Sequence, residues 1–158
     1  MNPLNPETIK TAMSEAIEIA KANSRAPFGC VLFDLSLNRT VATGLNRSDQ
    51  NPLHHGEIVA INNYVEQGGR NWSNLSLFTT AEPCCMCQGA ILWSGIRQVV
   101  FGTSIATLKR QGWHQIDITS AKLTRLSWRT DLDIRPGIMQ AECDELFRTA
   151  MRLRTSQH

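Results

Sequence analysis

The feature that most constrains this chain is a pair of separated segments, His55-Gly56-Glu57 and Pro83-Cys84-Cys85-Met86-Cys87, each at the expected start of a helix. Cys84 and Cys87 are three residues apart, so on a helix their sulfurs share one face and can grip one ion. Zinc takes thiolate and imidazole together, so His55 completes a set of three ligands. A helix N-terminus lowers cysteine pKa and favours the thiolate that zinc requires. Three protein ligands leave the fourth tetrahedral position open, the mark of a catalytic rather than a structural zinc. Glu57, two residues beyond His55, is placed to move protons at that position without itself coordinating. Any fold of this chain must therefore bring two distant helix starts together.

Either segment alone says little. A lone His-x-Glu arises by chance, and a lone Cys-x-x-Cys can be a redox pair or half of a zinc ribbon. A closed structural zinc completed by Cys85 or His54 is the competing arrangement. Adjacent helical residues point about 100° apart, which argues against Cys84, Cys85 and Cys87 all ligating. A redox pair would leave His55-Gly56-Glu57 without a role. The two further cysteines, Cys30 and Cys143, stand in apolar surroundings and are expected as buried thiols.

Apolar residues make up 42% of the 158 residues and charged residues 19%, a composition that excludes a disordered chain. No apolar run approaches the roughly 20 residues of a membrane span. The polar stretch Met1 to Glu7 lacks a secretory layout, so a cytoplasmic address is expected. The net charge of +2 gives no electrostatic reason to expect nucleic acid as a partner. Arg148, Arg152 and Arg154 form a small basic tail that suits a helix C-terminus.

Asn5-Pro6-Glu7 reads as a helix start, and apolar spacing from Ile9 to Ala20 carries the helix to about Ala22. Cys30–Leu35 and Thr40–Leu45 read as a hairpin. A helix from about His55 to Gln67 follows, then a strand at Leu75–Thr80, a helix from Pro83 to Ser94 and a strand at Gln98–Thr103. Between Ser104 and Arg135 a short strand is expected at Gln115–Thr119, and a last helix at about Gly137 to Leu153. This order predicts a single domain over residues 1–158, an α/β/α three-layer sandwich with helices on both faces of one mixed sheet.

His-x-Glu followed by Pro-Cys-x-x-Cys is the signature of zinc deaminases. On that signature, and on Pro27-Phe28-Gly29, Gly44-Leu45-Asn46, Gly89-Ala90-Ile91 and Val100-Phe101-Gly102, the chain resembles the cytidine-deaminase-like superfamily. It is most similar to the branch of guanine deaminases, fungal-type cytosine deaminase and bacterial tRNA adenosine deaminase. The resemblance implies a sheet of about five strands, one zinc per chain on His55, Cys84 and Cys87, and Glu57 as the catalytic acid and base. It also implies Asn46 as a base-binding amide, Phe28 and Trp93 as aromatic contacts to the base, and a homodimer.

Two departures and one likeness bear on the substrate. Gly56 stands where alanine is usual in the guanine and tRNA branches. Ser104-Ile105-Ala106-Thr107-Leu108-Lys109 does not match the Asp-x-Lys-x-Gly-Ala stretch of the tRNA branch. Trp93 and Phe28 resemble residues of guanine deaminases. The expected activity is therefore hydrolytic deamination of a free nucleobase or nucleoside, a guanine-like purine first. Formation of inosine in a tRNA anticodon loop is the alternative, and a zinc-stabilised module without turnover the third.

Overall fold

The computed structural model describes residues 4–157; Met1 to Pro3, the start of the polar N-terminal stretch, and His158 lie outside them. Helix α1 (Pro6–Lys21) opens as its sequence dictates: Pro6 sits in the first turn and Asn5 Oδ1 accepts the Thr8 N–H at 2.7 Å. Its apolar stripe, Ala12, Met13, Ala16, Ile17 and Ala20, is buried. Strands β1 (Gly29–Asp34) and β2 (Arg39–Leu45) form the expected hairpin. Helix α2 (Gly56–Glu66), strand β3 (Leu75–Ala81), helix α3 (Cys85–Ser94) and strand β4 (Gln98–Thr103) follow. Then come α4 (Ile105–Arg110), α5 (Ser120–Arg125), the short strand β5 (Asp133–Arg135) and α6 (Gln140–Thr155).

The sheet runs β2-β1-β3-β4-β5. β1 is antiparallel to both β2 and β3, while β3, β4 and β5 are parallel, so the sheet is mixed. Every residue of β1, β3 and β4 is buried, as strands covered on both faces require. Cys30, Leu32, Leu77 and Val99 face Ala60, Tyr64 and Ile91 of α2 and α3. The alternate residues Val31, Phe33, Phe78 and Val100 face Met13, Ala16 and Ile17 of α1 and Cys143 of α6. The three-layer α/β/α expectation thus holds, and Cys30 and Cys143 are buried thiols as expected. Among the described residues, no helix is long and apolar enough to cross a membrane.

Three readings of the later chain need correction. Gln115–Thr119 is not a strand: its alternating pattern belongs to a loop in which Ile116 is exposed. The fifth strand is Asp133–Arg135, three residues too short to carry a periodic signal. Helices α4 and α5 are also too short for a 3.6-residue period to register, though each carries its cap. Ser104 Oγ accepts the Thr107 N–H and Thr119 Oγ1 accepts the Lys122 N–H, both at 3.1 Å. Helix α6 begins at Gln140 rather than at about Gly137, since Gly137 and Met139 take positive φ and Met139 is the cap.

The contact that sets up the site is that of α2 on β2. A Cβ at Gly44 would lie 2.0 Å from the Gly56 carbonyl oxygen and 2.4 Å from the Ala60 nitrogen. One at Gly56 would lie 2.7 Å from the Phe28 carbonyl oxygen. Two glycines therefore let helix backbone meet sheet backbone. Because the clashing atoms are backbone, Gly44→Ala is expected to destabilise the fold by about 3 kcal/mol. Urea unfolding of the two proteins measures this, and an unchanged midpoint would refute the close-approach account.

Candidate active site

His55 and Cys84 occupy equivalent places, each the N-cap of its helix with extended backbone. β3 ends at Ala81, and Glu82-Pro83 carries the chain over to α3; β2 ends at Leu45, and the polar Asn46 to His54 loop leads to α2. The ligand atoms of His55, Cys84 and Cys87 all lie within 4.8 Å of one another. His55 Nδ1 is 3.5 Å from Cys84 Sγ. Cys85, half-buried, lies outside this group, and His54 turns its Nε2 to Asn51 Nδ2 at 3.2 Å. Neither completes a fourth protein ligand.

The electrostatics of the group fit a cation. Hydrogen bonding from Cys87, reinforced by His55, pulls the Cys84 thiol down to about 4 against the cost of burial. Cys87 is pushed well above its ordinary value, because it donates to Cys84 and is desolvated. The Cys84 hydrogen bond raises His55. One thiolate is thus held in place by two proton-bearing neighbours, and a metal ion would take the place of those protons. The donor set, two sulfurs and an imidazole nitrogen, is that of zinc.

Glu57 is buried beside this cluster, and burial, with the Cys84 charge next, raises its carboxyl above the ordinary glutamate range. Thr79 Oγ1 donates to Glu57 Oε1 at 2.9 Å and fixes the carboxylate's orientation. Glu82 has a different task. Its Oε2 accepts the Ile105 N–H at 2.9 Å, and its Oε1 accepts the Ser120 N–H and hydroxyl at 2.8 and 2.9 Å. It thereby pins the starts of α4 and α5 to the end of β3.

A cavity of about 340 Å³ opens over these groups. His55, Glu57 and Cys84 line its inner end, with Asn46 and Phe28 beside them. The backbone of Asn46 is anchored on both sides, its N–H donating to the Phe28 oxygen at 3.0 Å and its carbonyl accepting from Asn23 Nδ2 at 3.1 Å. Its side-chain Oδ1 accepts the Ser48 N–H at 2.7 Å, so the amide turns its donor end to the cavity. The expected residues Asn46, Phe28, His55, Glu57 and Cys84 are thus brought together, with Cys87 buried behind Cys84.

Trp93 is not. It is 79% exposed on the outer face of α3 and packs its ring 4.6 Å from that of Trp128, outside the cavity. Asp117 and Asp131 also lie outside the cavity lining, paired with Lys109 and with Arg97 and Arg129. The wall is instead completed by Gly112, Trp113, His114, Gln115, Met151 and Arg154, none of which the sequence marks as a site residue. Trp113 stands edge-on to Phe28 with ring centroids 5.3 Å apart, and the Arg154 guanidinium lies 5.0 Å over its ring. Loop and helix end meet only in the folded state, so no local pattern marks them.

The family model for the cytidine and deoxycytidylate deaminase zinc-binding region matches residues 6–103. The chain belongs to this deaminase family. It is 36% identical over 95 residues to a probable cytosine deaminase of Schizosaccharomyces pombe, a match that spans 58% of each chain. It is 32% identical over 152 residues to the tRNA-specific adenosine deaminase of Haemophilus influenzae, covering 90% of this chain and 81% of that one. In fold it is similar to a guanine deaminase from Nitrosomonas europaea, with a TM-score of 0.76 and 21% identity over 96% of this chain and 98% of that one.

For a zinc deaminase built on these residues, metal analysis gives a direct check. The purified protein is expected to carry one zinc per chain, Cys87→Ala to lose it, and Glu57→Ala to keep it. Zinc-free wild-type protein, or full zinc occupancy in Cys87→Ala, would contradict the ligand set.

Proposed function

We propose that residues 1–158 act as a single zinc-dependent deaminase domain that hydrolyses the exocyclic C–N bond of a free nucleobase or nucleoside, a guanine-type purine first. The observation that carries this reading is the convergence of His55, Cys84 and Cys87 with buried Glu57 at the inner end of a cavity walled by Phe28 and Trp113. Zinc held by the three ligands supplies a Lewis acid that makes water a nucleophile near neutral pH.

The chain's own residues do the rest. Aromatic walls and the Asn46 amide hold the planar base with its amino-bearing carbon toward Glu57. Glu57 accepts a proton from the attacking water and passes it to the adjacent ring nitrogen. It then takes the second proton from the newly added hydroxyl and gives it to the departing amine, so that water and substrate become a carbonyl product and ammonia. A carboxyl raised by burial suits this two-way traffic, since a group poised nearer neutrality both accepts and returns a proton. Thr79 holds Oε1, leaving Oε2 to carry the proton.

Enclosure supports a small substrate. The Trp113–Arg154 pair roofs the cavity, and Arg154 Nη1 is tied to the Arg25 carbonyl at 3.2 Å. The cationic tail expected from the sequence is also partly neutralised, since Arg148 and Arg152 both pair with Glu145. A tRNA adenosine is the second reading, favoured by the near full-length similarity to the Haemophilus influenzae protein. The five cysteines, all unpaired, suit the reducing cytoplasm.

The proposal includes a homodimer. Trp93, Leu126 and Trp128 form an exposed apolar patch with Cys85 and Gly89 of α3. A Cβ at Gly89 would meet nothing within 4 Å in one copy. Glycine inside a helix costs about 1 kcal/mol against alanine, a cost that makes sense where a second chain approaches closely. Gly89→Trp is therefore expected to leave the subunit folded and to turn a dimer into a monomer on size exclusion with light scattering. A dimer that survives this change would refute the assignment of this face.

Ammonia release across free bases, nucleosides and nucleotides tests the activity. Guanine is expected to react, and Glu57→Ala to lower kcat by about 10²- to 10⁴-fold. Silence across the panel with zinc bound, together with inosine formed in an anticodon stem-loop, would replace the first reading by the second.

A further inference from the structure

The inner end of the cavity is occupied by the groups that move protons, so a substrate's reacting carbon must point inward and its opposite edge outward. What meets that outer edge comes from beyond the segments that carry the chemistry: Gln115 and His114 of the α4–α5 loop and Arg154 near the end of α6. Arg154 is held rather than loose. Its guanidinium lies over the Trp113 ring, Nη1 donates to the Arg25 carbonyl, and Arg25 in turn donates to Gln157 Oε1 at 2.7 Å. Trp113 is itself fixed, edge-on to Phe28 and Phe147 and with its Nε1 donating to the Phe147 carbonyl at 3.3 Å. Among the described residues, the other N–H groups of Arg154 have no protein partner.

A guanidinium is a planar fork of donors with no acceptor. Asn46 likewise turns only its donor end to the cavity, because Oδ1 is taken by the Ser48 N–H. Arg154 and Asn46 therefore ask for acceptors on the substrate. A guanine with its C2 amino group toward Glu57 has O6 and N7 on its outer edge, two adjacent acceptors that match an arginine fork. Cytosine and adenine turned amino-inward place a single acceptor beside a ring N–H on the outer edge and offer no adjacent pair of acceptors to the fork. Once a bound base covers the guanidinium and excludes water from it, a charged donor left without its acceptor is costly, so the fork would discriminate rather than merely attract.

We propose that Arg154, oriented by Trp113, is a specificity-determining residue that reads the O6/N7 edge of a guanine-type substrate. This rests on the reading of the site as a purine deaminase, and the test separates the two. The values of kcat/KM for guanine and 7-deazaguanine are compared in wild type, Arg154→Gln and Arg154→Lys. 7-Deazaguanine keeps the reacting C2 and O6 but lacks the N7 acceptor. Wild type is expected to favour guanine on the order of 10- to 100-fold, the range of a charged hydrogen bond. Arg154→Gln should cut guanine turnover by a similar factor and erase the preference, with the melting temperature unchanged because the side chain is exposed. Arg154→Lys should behave like Arg154→Gln, since lysine restores the charge over Trp113 but not the fork.

Guanine turnover with an unchanged preference in Arg154→Gln would overturn the role of Arg154 while leaving the deaminase reading intact. Full rescue by lysine would also overturn it, by reducing the residue to a charge against Trp113. A wild type that deaminates other bases but not guanine would remove the purine reading and this assignment with it.

Discussion

The close approach of α2 to β2 is the constraint on which the site depends. Gly44 and Gly56 remove the two β-carbons that would otherwise hold helix and sheet apart. With the backbones in contact, His55 arrives at the end of the sheet at the same level as Cys84, which leaves β3 by a separate route. Ligand atoms from two helix starts then fall within one coordination sphere. A shift of α2 by the width of a methyl group would separate imidazole from thiolate, because a zinc–ligand bond tolerates only a few tenths of an ångström.

The same approach buries Glu57, and burial governs the chemistry of the cavity's inner end. A carboxylate desolvated beside a thiolate favours its protonated form, and Thr79 donates to it from a side chain. A cation at the cluster would offset the Cys84 part of that shift, because it replaces the protons on Cys87 and His55 with a fixed positive charge, while the burial that is its larger cause remains. Metal binding and the proton affinity of Glu57 are therefore linked through geometry. Glu82, equally buried, is spent differently: three donors satisfy it, and it serves as the strut between β3 and the later chain.

What could be read in the sequence follows the range of each physical signal. The cluster and its two helix starts were legible because ligand spacing, capping and helical period are local rules. The central strands were legible because Val31, Leu32 and Phe33, Leu77 and Phe78, and Val99, Val100 and Phe101 are short apolar runs bounded by turns and helix starts. Trp93 illustrates the limit. It lies six positions beyond Cys87, and at about 100° per residue that turns it well away from the cluster face. Its aromatic character suggested a base, while its angle on the helix gives it to the surface. Trp113 shows the converse, a residue with no local signal that becomes part of the cavity wall when α6 folds back and puts Arg154 over it.

That division has a consequence for how this fold separates reaction from selection. The segment matched to the deaminase family ends at residue 103, and it holds Asn46, His55, Glu57, Cys84 and Cys87. Gly112, Trp113, His114, Gln115, Met151 and Arg154 all lie after it, yet they complete the same cavity. The inner end must keep ligand distances and proton paths fixed, so its residues sit at helix caps and on buried strands, where packing leaves no freedom. The outer wall is built from a loop and a helix end joined by an aromatic contact and a carbonyl hydrogen bond. Such elements can change sequence and length without disturbing the sheet. Relatives that resemble this chain through its first two thirds can therefore share its reaction while differing in the edge of the substrate they read.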